Sequence, residues 1–319
     1  MKPLSLTAKL SVLVVFAVLF GATMVALSVR THGARTQEHF TWGANHNVEK
    51  TFSVQPGGKI VIDADAGDVS IVGTDKQEVA IRVVAHGSEA NLNRYKVDFS
   101  QEGNTVRVEG RFERKHFMFF ESNSIDAHYD VEVPREFNLM LKTSGGNIVV
   151  QNVKGSIEGS TAGGDIDLTK LDGPVNLSTS GGNVTIQQAT GEFTLETSGG
   201  NITSDDVTGG IHLETSGGNI EVRNSDGKVY ASTSGGNIRV VLKDNKGIDL
   251  STSGGNLVVR LPKAISADVR AEASGGDVSC DFPFNGKVRE GRMNGKINGG
   301  GNLIRLETSG GDIVLNSVE

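Results

Sequence analysis

The chain has 319 residues, a formal net charge of −7 and 42 glycines against 6 prolines. Mild acidity argues against a nucleic-acid partner, which calls for basic patches. Glycine at this level without a strict triplet excludes collagen, and the single cysteine, Cys280, excludes an intrachain disulfide framework or a cysteine metal cluster.

Lys2 and Lys9 precede Leu10 to Val29, twenty residues without a charge. That length spans a bilayer core as a helix. Two readings stay open: an uncleaved transmembrane anchor over 10–29, behind a cytoplasmic n-region over 1–9, or a signal peptide cut near Ala26-Leu27-Ser28. Arg30 and Arg35 beyond the stretch leave a mild preference for the N-terminus inside and the rest of the chain outside. The expected location is the bacterial cytoplasmic membrane, single-pass, with the C-terminal domain extracytoplasmic; secretion after cleavage is the alternative. Residues 30–55 are polar and read as an irregular tether.

The β-solenoid domain is expected over 56–319. It begins with Gly58-Lys59-Ile60-Val61-Ile62 and Ala66-Gly67-Asp68-Val69-Ser70-Ile71, followed by alternating runs at 78–84, 95–99, 105–108 and 128–133. This part is less regular, as a capping end should be. Arg111 to Phe120 is basic and aromatic together; it reads either as a cover over the open core end or as an exposed partner- or membrane-touching patch.

From Lys142 to Cys280 one phrase returns, Thr-Ser-Gly-Gly-Asn-Ile with small variations. The first glycines fall at Gly145, Gly163, Gly181, Gly199, Gly217, Gly235, Gly254 and Gly275, in steps of 18, 18, 18, 18, 18, 19 and 21. A fixed period is the mark of a solenoid. Numbering Ser178 to Leu195 as positions 1 to 18 puts apolar residues at positions 7 and 9 (Val184, Ile186) and at 16 and 18 (Phe193, Leu195). Pairs two apart are the period of a half-buried strand, and nothing recurs at helical spacing. Each unit is therefore two short strands and two turns. The first turn is Ser-Gly-Gly-Asn, where glycine is expected to supply positive φ. The second is centred on position 14, with position 12 (Val153, Leu171, Ala189, Val207) plugging the corner. Stacking in register gives an all-β, parallel β-solenoid of about 18-residue rungs; the general chirality rule favours right-handed coiling.

After the array, Leu261-Pro262 and 282–292 carry insertions before Ile297-Asn298-Gly299-Gly300-Gly301 and Ser309-Gly310-Gly311-Asp312-Ile313 resume the theme. The last rung is expected to leave an unpaired edge, which would allow self-association through the end rungs.

Gly67-Asp68-Val69-Ser70-Ile71-Val72-Gly73, Val131-Glu132-Val133-Pro134, Leu139, Gly145-Gly146-Asn147-Ile148 and the closing Ser309-Gly310-Gly311-Asp312-Ile313 resemble a bacterial family of unknown function labelled putative adhesin. The resemblance covers about residues 50 to 319. It implies a β-solenoid in the cell envelope and supplies no catalytic residues.

Three side-chain ladders invite chemistry. Asn147, Asp165, Asn183, Asn201, Asn219, Asn237, Asn256 and Asp277 share position 6. Stacked amides hydrogen-bond along such a turn, whereas the calcium repeats need Gly-Gly-x-Gly-x-Asp, and here a core Ile follows. Thr143, Thr161, Thr179, Thr197, Thr215, Thr233 and Thr252 share position 2; alternation points them inward, toward turn backbone rather than ice. Glu196 and Glu214 share position 1, about 4.8 Å apart in the backbone. Paired carboxylates serve glycosidases, but no cleft is expected. Asp205 with Arg223 and Glu221 with Arg239 read as exposed cross-rung ion pairs. No residue is assigned as catalytic, cofactor-binding or metal-binding, and no cofactor is expected. The function read here is a non-catalytic, membrane-anchored structural or interaction module with a protein or surface-polymer partner. A polysaccharide-active β-helix enzyme and a self-associating envelope scaffold are the alternatives.

Overall fold

The computed structural model describes residues 36–40, 47–113 and 125–318, all within one unit spanning 35–319. The apolar stretch 10–29 and residues 114–120 of the aromatic-basic stretch lie outside the described residues. Among the described residues, no helix is long and apolar enough to cross a membrane.

Each 18-residue unit gives one strand to each of two sheets. Val184–Thr190 lies between Ile166–Asp172 and Ile202–Thr208, while Phe193–Thr197 lies between Val175–Thr179 and Ile211–Thr215. All are parallel, with Val184 opposite Ile202 and Leu195 opposite Leu213, so residues eighteen apart are direct neighbours. Alternation turns positions 7, 9, 16 and 18 inward: Val184, Ile186, Leu195, Ile202 and Leu213 are all fully buried. The corner plugs Val153, Leu171, Ala189 and Val207 are buried as well. One continuous apolar core runs from Val48 to Leu315.

The turns use glycine differently from the expectation. None of the paired glycines from Gly145 to Gly276 has positive φ. The constraint is crowding: a Cβ on Gly182 would lie 2.0 Å from the carbonyl oxygen of Gly164, and on Gly200 1.9 Å from that of Gly182. Positive φ falls instead on position 14 (Gly173, φ 133°) and on non-glycine position 11: Asn152, Lys170, Gln188, Asp206 and Asn224, at φ 51–60°.

Both ends depart from simple winding. At one end, the rung Gly58–Ala64 and Asp68–Thr74 stacks on Phe137–Thr143 and Ile148–Gln151. The chain between loops outward, laying Thr105–Phe112 and Ile125–Pro134 parallel on that rung. Tyr95–Glu102 and Glu78–Gly87 then add antiparallel. The segment expected as an irregular tether contributes the two outermost strands, Thr36–Phe40 and Asn47–Ser53. Their polarity hid them: Asn47–Ser53 buries Val48 alone, because an edge strand offers the core one face only. The short helix Glu89–Arg94, capped by Ser88, was also not foreseen; six residues are too few to show a helical period.

At the other end, Asn302–Thr308 and Ile313–Val318 do not form the terminal rung. They insert between the Gly254 and Gly275 rungs, paired on both sides. The expected unpaired last edge is therefore absent from these strands, and the order along this end is Thr252, Thr308, Ala273. The edge passes to the insertion: Arg292–Ile297 pairs antiparallel with Ala267–Ala273, and Phe284–Arg289 pairs with Arg292–Ile297 as the last strand of its sheet. Among the described residues this sheet has 15 strands and the other 13.

Candidate functional site: the turn face of the repeat

The position-2 threonines point inward and are 2–6% exposed. Each hydroxyl donates to the position-5 carbonyl one rung back, as Thr197 does to Gly182 (2.8 Å) and Thr215 to Gly200 (2.9 Å). From Thr161 to Thr252 each also accepts the amide of its own rung's second glycine, as Thr197 does from Gly200 at 3.2 Å. The threonine row is thus the internal bolt of the turn, as alternation implied.

The position-6 row runs along the outside of the same turn. Asn201 N donates to Asn183 Oδ1 at 2.9 Å and Asn219 N to Asn201 Oδ1 at 2.8 Å, with weaker amide–amide contacts of 3.3–3.4 Å beside them. Asp165 takes part as an acceptor, receiving Asn183 N at 2.7 Å. Its carboxylate is satisfied by backbone, with amide residues on both neighbouring rungs, which is a turn-forming role.

Flanking the threonine row, positions 1 and 3 form an open groove of about 670 Å³ from Lys142 to Ser234. Hydroxyls such as Ser160, Ser178 and Ser232 line it, together with Glu196 and Glu214. The two glutamates are direct cross-strand neighbours. Glu214 Oε1 sits 3.0 Å from His212 Nε2, and the His212 ring stacks on Tyr230 at 4.2 Å and 6°. The stack was not foreseen from sequence; its signal was that both residues hold position 17 in successive rungs. Glycosidase carboxylates must flank a bond from opposite sides. Here both project the same way from one open face, with Glu214 and His212 more than 40% exposed.

Of the two expected ion pairs, Glu221 meets Arg239 at 3.5 Å and Arg223 more closely, at 2.7 Å. Asp205 accepts instead from Asn224 at 2.9 Å. Exposed pairs of this kind contribute little to stability. From the aromatic-basic stretch, Arg111 bonds Asp63 and Asp65, and Phe112 packs 4.9 Å from the Tyr95 ring. Tyr95 and Tyr129 share a buried hydroxyl–hydroxyl bond of 2.5 Å, and Tyr95 also donates to Ala66 O at 2.9 Å. Burial pushes the Tyr95 phenol up to about 12. Burial also raises the Cys280 thiol, which disfavours the reactive thiolate.

A stack of parallel rungs bolted by turn ladders defines an all-β, solenoid-like class. The profile of the Toastrack DUF4097 family matches residues 58–316, and the chain belongs to that family. Among solved structures, the chain is similar to a putative adhesin from Bacteroides fragilis (16% identity, 85% of this chain and 97% of that one, TM-score 0.42). It is likewise similar to a putative lipid binding protein from Parabacteroides distasonis (14%, 86% and 98%, 0.43) and a putative adhesin from Parabacteroides merdae (13%, 87% and 98%, 0.42). Likeness at this level carries no weight for ligand or activity. No curated protein matches the chain significantly.

Proposed function

We propose that the protein is a non-catalytic interaction module held at the bacterial cytoplasmic membrane by residues 10–29, with the β-solenoid displayed outside. The supporting observation is the placement of its two ends. The chain enters the 15-stranded sheet at Thr36–Phe40, on one edge, and the hairpin strand Phe284–Arg289 forms the opposite edge. Fourteen strand spacings of about 4.8 Å separate those edges by roughly 67 Å. Between them the threonine and asparagine ladders tie neighbouring rungs together in the parallel array. Such a body suits presentation of a surface at a distance from its attachment. The chain should remain with membranes after high-pH extraction, and its C-terminal domain should be digested by protease added to spheroplasts. Recovery in the soluble cytoplasmic fraction, protected from protease, would overturn the reading.

A further inference from the structure

At this end of the fold, the hairpin of Phe284–Arg289 and Arg292–Ile297 is a departure from the repeat. Among the described residues Phe284–Arg289 bonds to one neighbour only, and no described strand lies along its outer side. Five of its six residues are exposed. Alternation divides it into two faces. Val288 lies opposite Met293, which is buried, so it points to the core side of the sheet. The companion sheet ends at Val278–Cys280, however, and leaves Val288 59% exposed, more than the other exposed large apolar residues described, Met140 and Leu303. Lys287 and Arg289 alternate onto the other face.

The charges here oppose those of the chain. Residues 282–297 carry four cations (Lys287, Arg289, Arg292, Lys296) and one carboxylate (Glu290), a net +3 within a chain of −7, so the remainder carries −10. Arg292 is tied to Glu272, and Lys296 lies 3.9 Å from Asp268. No ion pair is present for Lys287 or Arg289 among the described residues.

We propose that this edge receives an extended peptide strand of a protein partner by β-augmentation, with acidic residues set against Lys287 and Arg289 and an apolar residue between them beside Val288. Backbone bonds to a free edge supply affinity, and alternate side chains supply specificity. Cross-strand pairs of opposite charge favour this occupant, and like charges disfavour a second copy pairing through the same edge. The inference deepens the interaction-module reading by naming the partner's chemistry, and it stands whether or not residues 10–29 form an anchor.

The test uses the full-length protein in mild detergent and a fluorescent peptide alternating valine and glutamate, read by anisotropy. The expected result is salt-sensitive binding that weakens about tenfold or more in the double variant Lys287→Glu, Arg289→Glu. That variant should instead bind a valine–lysine peptide. Methylating alternate backbone amides of the acidic peptide should abolish binding, which a purely electrostatic contact would not require. An unchanged melting temperature shows that the variant is folded. Absence of binding up to about 1 mM peptide would overturn the proposal. So would equal binding by the charge-reversed variant, retention by the methylated peptide, or self-association through this edge in sedimentation.

Discussion

The two glycines of each pair look identical in sequence and meet different surroundings in the fold. A Cβ on Gly199 would find its nearest atom 3.7 Å away, whereas one on Gly200 would sit 1.9 Å from Gly182 O. Gly199→Ala should therefore change stability by no more than about 0.5 kcal/mol, and Gly200→Ala should cost on the order of 3 kcal/mol or more in denaturant unfolding. Ser204 is a second informative residue. It occupies a core position between Ile186 and Val222, fully buried, and its hydroxyl has no hydrogen-bond partner among the described residues. Ser204→Val should raise stability by about 1–3 kcal/mol, because a buried lone hydroxyl is costly and the apolar side chain is not. Tyr95 gives a pH dependence. A tyrosine in the unfolded chain ionises near pH ~10, and burial holds Tyr95 neutral up to about 12. Its stabilising share is complete below pH ~10 and is lost as the pH climbs toward 12, where the unfolded chain has already released its proton. Tyr129 is shifted in the same direction by burial and steepens the loss. Alkaline unfolding curves should fall less steeply above pH ~10 in Tyr95→Phe than in the wild type.

At the scale of the rung, the second corner carries a cost that the first does not. Gln188 holds φ 54° and Lys170 φ 56°, a region that L-residues other than asparagine and aspartate avoid. Gln188→Gly should therefore stabilise by about 0.5–1 kcal/mol, less than the full relief because glycine also loosens the unfolded chain. Thermal midpoints of this variant beside Asn152→Gly would check it, since asparagine tolerates the conformation and should gain less. The sequence located this corner through the recurring position-14 glycine but could not show the position-11 strain, because four different side-chain types occupy that place over five rungs. The interior strands were legible for the opposite reason. Ile148, Ile166, Val184, Ile202, Ile220 and Ile238 repeat one requirement six times, and all are buried with no more than 1% exposed. The inward threonines were legible too, since alternation from Phe193 and Leu195 fixes the direction of Thr197. The His212–Tyr230 stack and the exposed hairpin edge were not, because each occurs once and no periodicity announces it.

At the scale of the whole described unit, the chain's path is out of order at both ends. Pairing at distance 18 is a local rule, and neither the 79-residue jump from Val69 to Ile148 nor the 56-residue jump from Leu257 to Ile313 follows from it. Because Asn302–Thr308 and Ile313–Val318 lie inside the stack, removing residues 302–318 should not simply trim one end. It strips Ile248, Leu257, Ala267 and Val269, all now 0–2% exposed, of the strand neighbour on one side. Hydrogen exchange of the truncated chain should show lost protection across residues 248–297, while residues 148–222 keep theirs. Retention of protection over 248–297 would contradict the pairing. The middle rungs have a different consequence. From Ile157 to Val222 every strand sees the same neighbours above and below, so one unit is interchangeable with the next. Duplication or loss of a block of 18 residues there would alter reach by one step of about 4.8 Å while sparing both terminal caps, which makes length the trait that heredity can adjust most freely in this molecule.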